Sequence, residues 1–312
     1  MKEEWIDIFE FYAEERNRLY INEDIVVGIS GMTEQLEELE RKRWERIEQN
    51  LKERNITILH SNSKYRVLKK TIDGPYVKVF YQVCIQWKLR QGTEVINQSW
   101  TENRYCLLRK EDEWWIVEDV LIEEEGKGLL NLPFPLDAYD LEAFRTEQPR
   151  SSYDRKKAVE YAERWWNDYN PKFRKFEVDC TNFISQCLWA GGAPMNTSSD
   201  RTKGWWYRFN EPVNWSFSWA VAHSLRWYLP TSQSGLRAKE VQEPQELELG
   251  DVICYDFNGD GRWQHSTIVV KKDQNGMPLV NAHTTNSRHR YWDYQDSYAW
   301  TDKTKYKFFH IL

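Results

Sequence analysis

The stretch Asp179-Cys180-Thr181-Asn182-Phe183-Ile184-Ser185-Gln186 decides how the C-terminal half of this chain folds. Asp179 is a favourable N-cap residue, so Cys180 is predicted to lie in the first turn of a helix. Apolar residues then recur at helical spacing, and Gly191-Gly192 supplies a stop signal. A thiol at a helix start faces unpaired backbone N–H groups and the positive end of the helix dipole, which both favour the thiolate. The sequence therefore predicts a nucleophilic cysteine.

Two histidines follow on predicted strands further along the chain. His265 precedes Ser266 and the β-branched run 267–270, and His283 follows Leu279-Val280-Asn281-Ala282. A cysteine on a helix followed by histidines on strands is typical of papain-like Cys–His hydrolases. The alternative is that Cys180 is a buried cysteine that serves only packing.

Further motifs extend this pattern over residues 153–312. They are Tyr169-Asn170-Pro171, Gly191-Gly192-Ala193-Pro194-Met195, Gly250-Asp251-Val252-Ile253, Asp256, Asp260-Gly261, His265-Ser266 and Ala282-His283-Thr284. Together with the cysteine stretch they resemble the bacterial putative amidase domain family. That family is itself similar to NlpC/P60 and CHAP-type cysteine peptidases, which have a papain-like fold. The resemblance implies an amide or peptide hydrolase.

The resulting hypothesis is attack by the Cys180 thiolate on an amide carbonyl, which gives an acyl-enzyme. His265 would take the thiol proton and return it to the leaving amine, and His283 would orient the His265 ring. Asn281 or Asn286 is the less favoured orienting residue. Neither a metal ion nor an organic cofactor is required.

Two carboxamides are candidate donors to the oxyanion. Papain-like enzymes use the N–H group of the cysteine and a nearby side-chain donor, and the resemblance covers both Asn170 and Asn182. The alternative is structural, with Asn170 forming an Asn-Pro turn and Asn182 capping the helix.

The turn before the second histidine strand determines which side chains share a face of the sheet. A three-residue loop, Gln274-Asn275-Gly276, pairs residue 273 with 277 and leaves His265 and His283 on one face. A two-residue Asn275-Gly276 loop would place them on opposite faces and favour Asn286 as the orienting residue. The three-residue loop is predicted here.

Length and composition limit the class of protein. A chain of 312 residues suggests two domains, and 40% hydrophobic residues are typical of a globular protein. A net charge of −6 argues against nucleic-acid binding, and no apolar run approaches membrane-spanning length. The first residues lack the apolar core of a secretory signal, and the five cysteines show neither disulfide nor zinc spacing. A cytoplasmic location is expected if Met1 is the natural start.

The N-terminal half has a different periodicity. Helices are predicted over 5–20 and 33–54 from apolar residues at helical spacing. Apolar residues then occupy alternate positions over 77–89, which predicts a long half-buried strand, followed by strands at 94–109 and 113–122. Short turns between them favour antiparallel pairing. Helices followed by such strands resemble the NTF2-like α+β cone by pattern alone.

The predicted fold class is therefore α+β throughout. An NTF2-like module over 1–125, a proline-containing linker over 126–152 and a papain-like domain over 153–312 are expected. In the last, helices are predicted at 154–169 and 217–229. Its strands are predicted at 252–256, 265–272, 278–284 and 305–311.

Two other functions fit the same residues. One is a catalytically silent protein whose aromatic side chains bind a peptide or glycan, with a homodimer through the N-terminal module left open. The other is a thiol acyltransferase, which excludes water from the acyl-enzyme. The loop Asp256-Phe257-Asn258-Gly259-Asp260-Gly261 begins like a calcium loop, but its twelfth position is Thr267 rather than Glu, so an ordinary turn is favoured.

Overall fold

The chain folds into two compact units of mixed helix and antiparallel sheet. The computed structural model describes residues 4–18, 34–111, 114–122, 153–210 and 212–312. The first unit comprises residues 1–124 with 295–298, and the second comprises 125–294 with 299–312. A content of 27% helix and 38% strand, with antiparallel pairing, confirms the α+β class. The predicted linker, 126–152, lies outside the described residues.

The first unit consists of two helices followed by an antiparallel meander. Helix α1 spans Glu4–Arg18 and α2 spans Glu34–Glu53. The strands are β1 (Ile56–Asp73), β2 (Tyr76–Gln91), β3 (Glu94–Glu111) and β4 (Trp114–Ile122), each paired with the next. The alternation over 77–89 marks β2, whose odd-numbered residues are buried and whose even-numbered residues are more exposed. Strand β1 was not predicted, because most of its side chains are exposed and carry no apolar alternation.

A buried ion network stabilises the first unit. The Glu102 carboxylate accepts hydrogen bonds from Arg43 Nη2 and Trp100 Nε1, both at 2.9 Å, and forms a salt bridge with Arg104. Burial alone would raise the pKa of this carboxyl, but the two guanidinium groups hold it well below its usual value. Glu102 therefore stays ionised inside the unit.

The second unit is a six-stranded antiparallel sheet with helices on one face. Its helices are α3 (Arg155–Trp165), α4 (Cys180–Ala190), α5 (Phe217–Ala220) and α6 (Ala222–Thr231). Strands β5 (Tyr207–Arg208) and β6 (Asn214–Trp215) form a small separate sheet. The main sheet contains β7 (Ala238–Val241), β8 (Val252–Asp256), β9 (His265–Lys272), β10 (Pro278–Ala282), β11 (Ser287–Tyr291) and β12 (Lys305–Ile311). Their order is β11-β10-β9-β8-β12-β7.

The two faces of this sheet contact different cores. Val252, Cys254, Ile268 and Val270 join Phe183 and other apolar residues of α3, α4 and α6 in one core. The residues between them in sequence, including Ile253, Tyr255 and Val269, pack with Tyr294 on the other face. The side-chain period of two along β8 and β9 therefore sorts each residue to the helix face or the opposite face.

Several predicted elements are confirmed, including their first and last residues. The predicted strands at 252–256, 265–272 and 305–311 are β8, β9 and β12. The predicted helix at 217–229 is interrupted at Val221, which has extended backbone angles. Strand β10 ends at Ala282, before the predicted limit of 284, because Thr284 has a φ of 84°. Strands β7 and β11 were not predicted.

Among the helices that the structure describes, none combines the length and apolar character that crossing a membrane requires.

Candidate active site

Cys180 is the first residue of α4, as its sequence context predicts. Asp179 is the N-cap, but its side chain does not bond to the helix N–H groups. Its Oδ1 instead accepts hydrogen bonds from the N–H of Phe176 and from Asn182 Nδ2, both at 2.9 Å. The carboxylate thus ties the preceding loop to the first turn of α4.

The Cys180 thiol is buried beside polar groups. Its Sγ lies 3.7 Å from Thr181 Oγ1 and 4.0 Å from the carbonyl oxygen of Gln264. The Thr181 hydroxyl, the Ser266 backbone N–H and the Thr284 hydroxyl each act to lower the pKa of this thiol. Only 2% of the residue is exposed. Burial outweighs the donors and raises the pKa of the Cys180 thiol above its ordinary value, so the expected lowering is not found.

Two other cysteines of the second unit are less favourable nucleophiles. Burial raises the pKa of Cys254 to about 12 and that of Cys187 well above its ordinary value. Cys187 lies in the same core as residues of α3. All five cysteines are free thiols.

His283 contacts the start of α4. Its Nδ1 lies 2.8 Å from Asp179 Oδ2, and its Nε2 lies 2.7 Å from the carbonyl oxygen of Trp165. The ring stacks on Phe183, with 3.9 Å between the ring centroids. Because a carboxylate and a carbonyl oxygen only accept, both hydrogen bonds form when both ring nitrogens carry protons. His283 and Asp179 therefore form a buried hydrogen-bonded pair, and Asp179 precedes Cys180 in the chain.

His265 lies on the opposite face of the sheet from α4. Its Nε2 is 3.1 Å from the Tyr294 hydroxyl, and its ring packs beside Tyr255 and Phe257. Burial lowers the pKa of His265 to about 3, with a smaller contribution from the charge of Arg290. The residue on the α4 face is its neighbour Ser266, whose Oγ is 3.4 Å from Thr181 Oγ1.

A bulge explains why the two histidines do not share a face. The predicted three-residue loop is present: the Asp273 N–H donates to the Met277 carbonyl, and Gly276 has a φ of 77°. Pro278 and Leu279 accordingly pair with Lys272 and Lys271. Val280 and Asn281, however, pair with Val269 and Ile268, so Val270 is an extra residue. One extra residue reverses the side-chain parity, and the prediction of a shared face is therefore wrong.

The candidate carboxamides make structural contacts. Asn182 Nδ2 donates to the Arg174 carbonyl as well as to Asp179, and its Oδ1 accepts from Trp219 Nε1. Asn170 Nδ2 donates to the Tyr161 hydroxyl, and its Oδ1 accepts the Lys172 N–H in a tight turn. These contacts agree with the structural alternative for Asn170. For Asn182, the side chain joins α4 to its neighbours rather than capping the helix.

The two less favoured orienting residues are also engaged. Asn281 Nδ2 donates to Glu163 Oε1 at 3.0 Å, and its Oδ1 accepts the His289 N–H at 2.9 Å. Asn286 Oδ1 accepts a long hydrogen bond of 3.5 Å from the Tyr169 hydroxyl. Neither contact involves His265.

The loop that begins like a calcium site is an ordinary turn. Asp256 is fully buried, and its carboxylate accepts the backbone N–H groups of Gly259, Asp260 and Gly261. These bonds use both carboxylate oxygens within the turn. Within the described ranges, no group of three or more His, Cys, Asp or Glu side chains is arranged to hold a metal ion.

Sequence reasoning missed two participants. Asp179 was assigned only a capping role, although its carboxylate pairs with His283. Thr284 was quoted only as the end of a motif, although its hydroxyl oxygen accepts the Asp179 N–H at 3.2 Å. Both residues adjoin residues already singled out, and that adjacency is the only signal the sequence offers.

Fold and site together define an α+β protein with a buried cysteine at a helix N-terminus and an Asp–His pair beside it. The family described as "Putative amidase domain" matches residues 152–309, and the chain belongs to this family.

Two proteins of Bacillus subtilis (strain 168) are similar to this chain. "Uncharacterized protein YhbB" is 50% identical over 198 residues, which are 63% of each chain. "Uncharacterized protein YjcM" is 30% identical over 138 residues, which are 41% of this chain and 30% of the relative. The chain thus spans less than two thirds of the length of either relative. No solved structure matches it.

Proposed function

We propose that this protein hydrolyses an amide bond with Cys180 as the nucleophile. Membership of the family supports amide hydrolysis as the reaction class. The observation that supports the assignment to Cys180 is its place as the first residue of α4, at the positive end of the helix dipole, with Thr181 Oγ1 3.7 Å from its Sγ. A helix N-terminus stabilises a thiolate more than a thiol.

The reaction follows the acyl-enzyme route. Sγ forms a bond to the amide carbonyl carbon while the thiol proton passes to an imidazole, and the C–N bond breaks as that proton passes to the leaving amine. Water then cleaves the thioester and regenerates the thiol. Because burial raises the pKa of Cys180, the proton leaves only when a base accepts it.

His283 is the imidazole best supported for proton transfer. It contacts Asp179, which adjoins the nucleophile, and stacks on Phe183 one turn later. Asp179 would hold Nδ1–H, and an unprotonated Nε2, released from the Trp165 carbonyl, would accept the thiol proton. This assignment gives His283 the role first expected of His265, whose ring packs with Tyr255 and Tyr294 instead. The N–H of Cys180 is the preferred oxyanion donor, because Asn170 and Asn182 are engaged elsewhere.

The test is a screen of peptide, isopeptide and muropeptide amides for amine release, with intact-mass detection of an acyl-enzyme. We expect Cys180→Ala to abolish both signals and Cys84→Ala, at a half-buried position remote in sequence, to retain them. Turnover by Cys180→Ala would disprove the proposal.

The histidine assignment is tested on the same substrate. His283→Gln should lose at least about a hundredfold in turnover, the usual contribution of general acid–base catalysis, while His265→Gln retains it. Thermal melts confirm that each variant is folded. If a folded His265→Gln variant is inactive and His283→Gln is active, proton transfer belongs to His265.

A second candidate is a binding protein without catalysis. It is favoured by the raised pKa of Cys180 and by the hydrogen bonds that occupy both ring nitrogens of His283. Trp189 and Phe209, which are 39% and 44% exposed and contact one another, would contribute to an aromatic surface for a peptide or glycan. Saturable binding in the same screen, with neither amine release nor acyl-enzyme, distinguishes this function.

The domain assignments belong to the same proposal. A papain-like fold for the second unit is supported by the cysteine helix packed on an antiparallel sheet. An NTF2-like fold for the first unit is supported by two helices followed by a long meander. The binding partner that we propose is a peptide or amide substrate.

A further inference from the structure

Three cations lie over aromatic rings on the segments before and after α4. They are Arg174, Lys175 and Arg201, and we call them the basic platform. Arg174 Cζ and Arg201 Cζ lie 5.4 Å and 4.9 Å from the centroid of the Trp215 ring. Lys175 Nζ lies 3.8 Å from the centroid of the Tyr169 ring. Because an aromatic face attracts a cation, the rings fix where these three charges lie.

Two of these cations are linked to the candidate active site through a single residue. The Arg174 carbonyl accepts a hydrogen bond of 3.0 Å from Asn182 Nδ2, and Asn182 shares the first turn of α4 with Cys180. The Tyr169 ring, which holds the platform lysine, packs on His283 with 4.8 Å between the ring centroids. The basic platform therefore adjoins the residues that we propose for catalysis.

The arginine after α4 is the best placed of the three cations to bind an anion. Arg201 is half-buried, and its Nε donates a hydrogen bond of 2.8 Å to the Trp215 carbonyl. Its two Nη groups form neither a hydrogen bond nor a salt bridge with the residues that the structure describes. Burial lowers the pKa of this guanidinium. A partly desolvated guanidinium is stabilised by a carboxylate, which accepts two parallel hydrogen bonds from its nitrogens.

Nearby carboxylates do not pair with the basic platform. Asp200 precedes Arg201, but its Oδ1 accepts hydrogen bonds from the Thr202 N–H and hydroxyl, at 2.9 Å and 2.8 Å. Glu177 is exposed and lies two positions after the platform lysine. Across the described ranges, none of the three cations forms a salt bridge. The platform therefore concentrates positive charge on a chain whose net charge is −6.

We propose that the basic platform binds the carboxylates of an acidic peptide, which is the substrate class of this site. The proposal rests on the proposed function in treating the bound peptide as the substrate of Cys180. Arg201 would bind one carboxylate through both Nη groups, while Arg174 and Lys175 attract the peptide by charge. Cations among aromatic rings also bind single-stranded nucleic acid, but the net charge of −6 opposes a chain with a negative charge at every nucleotide.

The experiment compares two end-blocked peptides of equal length, one of alternating Ala and Glu and the other of alternating Ala and Gln. Titration calorimetry measures their binding to the full chain carrying Cys180→Ala, which removes the proposed nucleophile. We expect the Glu peptide to bind at least about tenfold more tightly than the Gln peptide, as for one added hydrogen bond between charged groups. The difference should shrink as the salt concentration rises, because ions screen the exposed charges.

Variants of the platform locate the binding. Arg201→Gln should weaken binding of the Glu peptide about tenfold, and Arg201→Lys, which keeps the charge and loses the paired nitrogens, should weaken it less. Lys175→Gln should weaken it about threefold, as expected for an exposed charge. Arg237→Gln is the matched control, because Arg237 is also half-buried and precedes β7 at the end of the sheet. Thermal melts show which variants fold, and Lys175→Gln decides the matter if Arg201→Gln does not.

Three results would overturn the proposal. They are equal affinity for the two peptides, a Glu preference that the folded platform variants leave unchanged, and tighter binding of a short oligothymidylate than of the Glu peptide. None of these measurements requires turnover. A Glu preference with no product in the amide screen would therefore count against hydrolysis alone, whereas turnover without a Glu preference would count against the platform alone.

Discussion

At the scale of single residues, the site is governed by competition between burial and hydrogen bonding. Hydrogen-bonding groups of Thr181, Ser266 and Thr284 act to lower the pKa of Cys180, yet desolvation outweighs them and raises it. The buried carboxylate of Asp179 accepts hydrogen bonds from Phe176, Asn182 and His283. A buried polar group is tolerated when such partners replace the lost water.

These hydrogen bonds predict a measurable effect for Asp179→Ala. The substitution leaves the His283 ring buried without its carboxylate partner and removes the acceptor of the Phe176 N–H in the loop before α4. We expect the free energy of unfolding to fall by about 1–3 kcal/mol, the usual cost of leaving a buried hydrogen-bonding group unsatisfied. Urea denaturation measures it. Asp302→Asn, at an exposed site, should change stability by less than about 0.5 kcal/mol. Similar losses for both variants would contradict the role of these hydrogen bonds.

His265 predicts a pH dependence of stability. Its pKa is about 3 in the folded state and near the ordinary value of 6.5 when unfolded. Because the folded value is depressed and the folded ring is neutral, the unfolded chain binds the extra proton first. The contribution of His265 to the free energy of unfolding is fully present above about pH 6.5. It falls by about 1.4 kcal/mol per pH unit as the pH drops towards 3.

The measurement is urea unfolding of the intact protein and of His265→Gln from about pH 7 to pH 4. The difference between the two proteins should shrink as the pH falls, since the variant has no titrating ring at this position. A constant difference would show that His265 keeps an ordinary pKa in the folded state.

At the scale of elements, the junction between α4 and the following turn is tightly packed. The predicted helix stop at Gly191 is confirmed, and a Cβ at this position would lie 2.4 Å from Tyr153 Cε2 and 3.0 Å from the Asp154 carbonyl oxygen. The Tyr153 hydroxyl in turn donates to the Gly250 carbonyl at 2.9 Å. The end of α4 is therefore fixed by contact with the start of α3.

Gly191→Ala should therefore destabilise the protein by about 1–3 kcal/mol through overpacking. Gly261→Ala is the matched control, because no atom lies within 4 Å of its Cβ although φ is 88°. Gly261→Ala should lower the free energy of unfolding only through backbone strain, by about 1 kcal/mol. Thermal melts of both variants compare the two effects, and a smaller loss for Gly191→Ala than for Gly261→Ala would disprove the steric argument.

The strands also show which elements local sequence patterns can predict and which they cannot. The alternation of β2 and the bounds of β8, β9 and β12 followed from local sequence, because a one-sided or buried strand carries its own apolar signal. Strand β1 lacks that signal, since most of its side chains are exposed and its pairing is provided by β2. Its assignment depends on a partner strand.

At the scale of the whole molecule, each unit has a core of its own. The first contains the buried odd-numbered residues of β2 and the Glu102 network. We therefore expect residues 1–125, expressed alone, to melt cooperatively, and residues 153–312 to retain alkylation of Cys180. Circular dichroism and mass spectrometry measure these outcomes. A gradual, non-cooperative melt of the first fragment would show that the proposed module does not fold by itself.

The sequence by itself determined the α+β class, the helix that begins at Cys180, the family and the loop that ends in Gly276. These features depend on side-chain periodicity, capping and turn residues, which are local properties.

Only the tertiary structure decided which histidine packs on α4. The bulge at Val270 arises from how β9 and β10 pair, and it puts His265 on the face away from α4 while His283 stacks on Phe183. Burial likewise raised the pKa of Cys180 against the effect of its helix position. Register and desolvation depend on contacts between distant parts of the chain, so no local pattern encodes them.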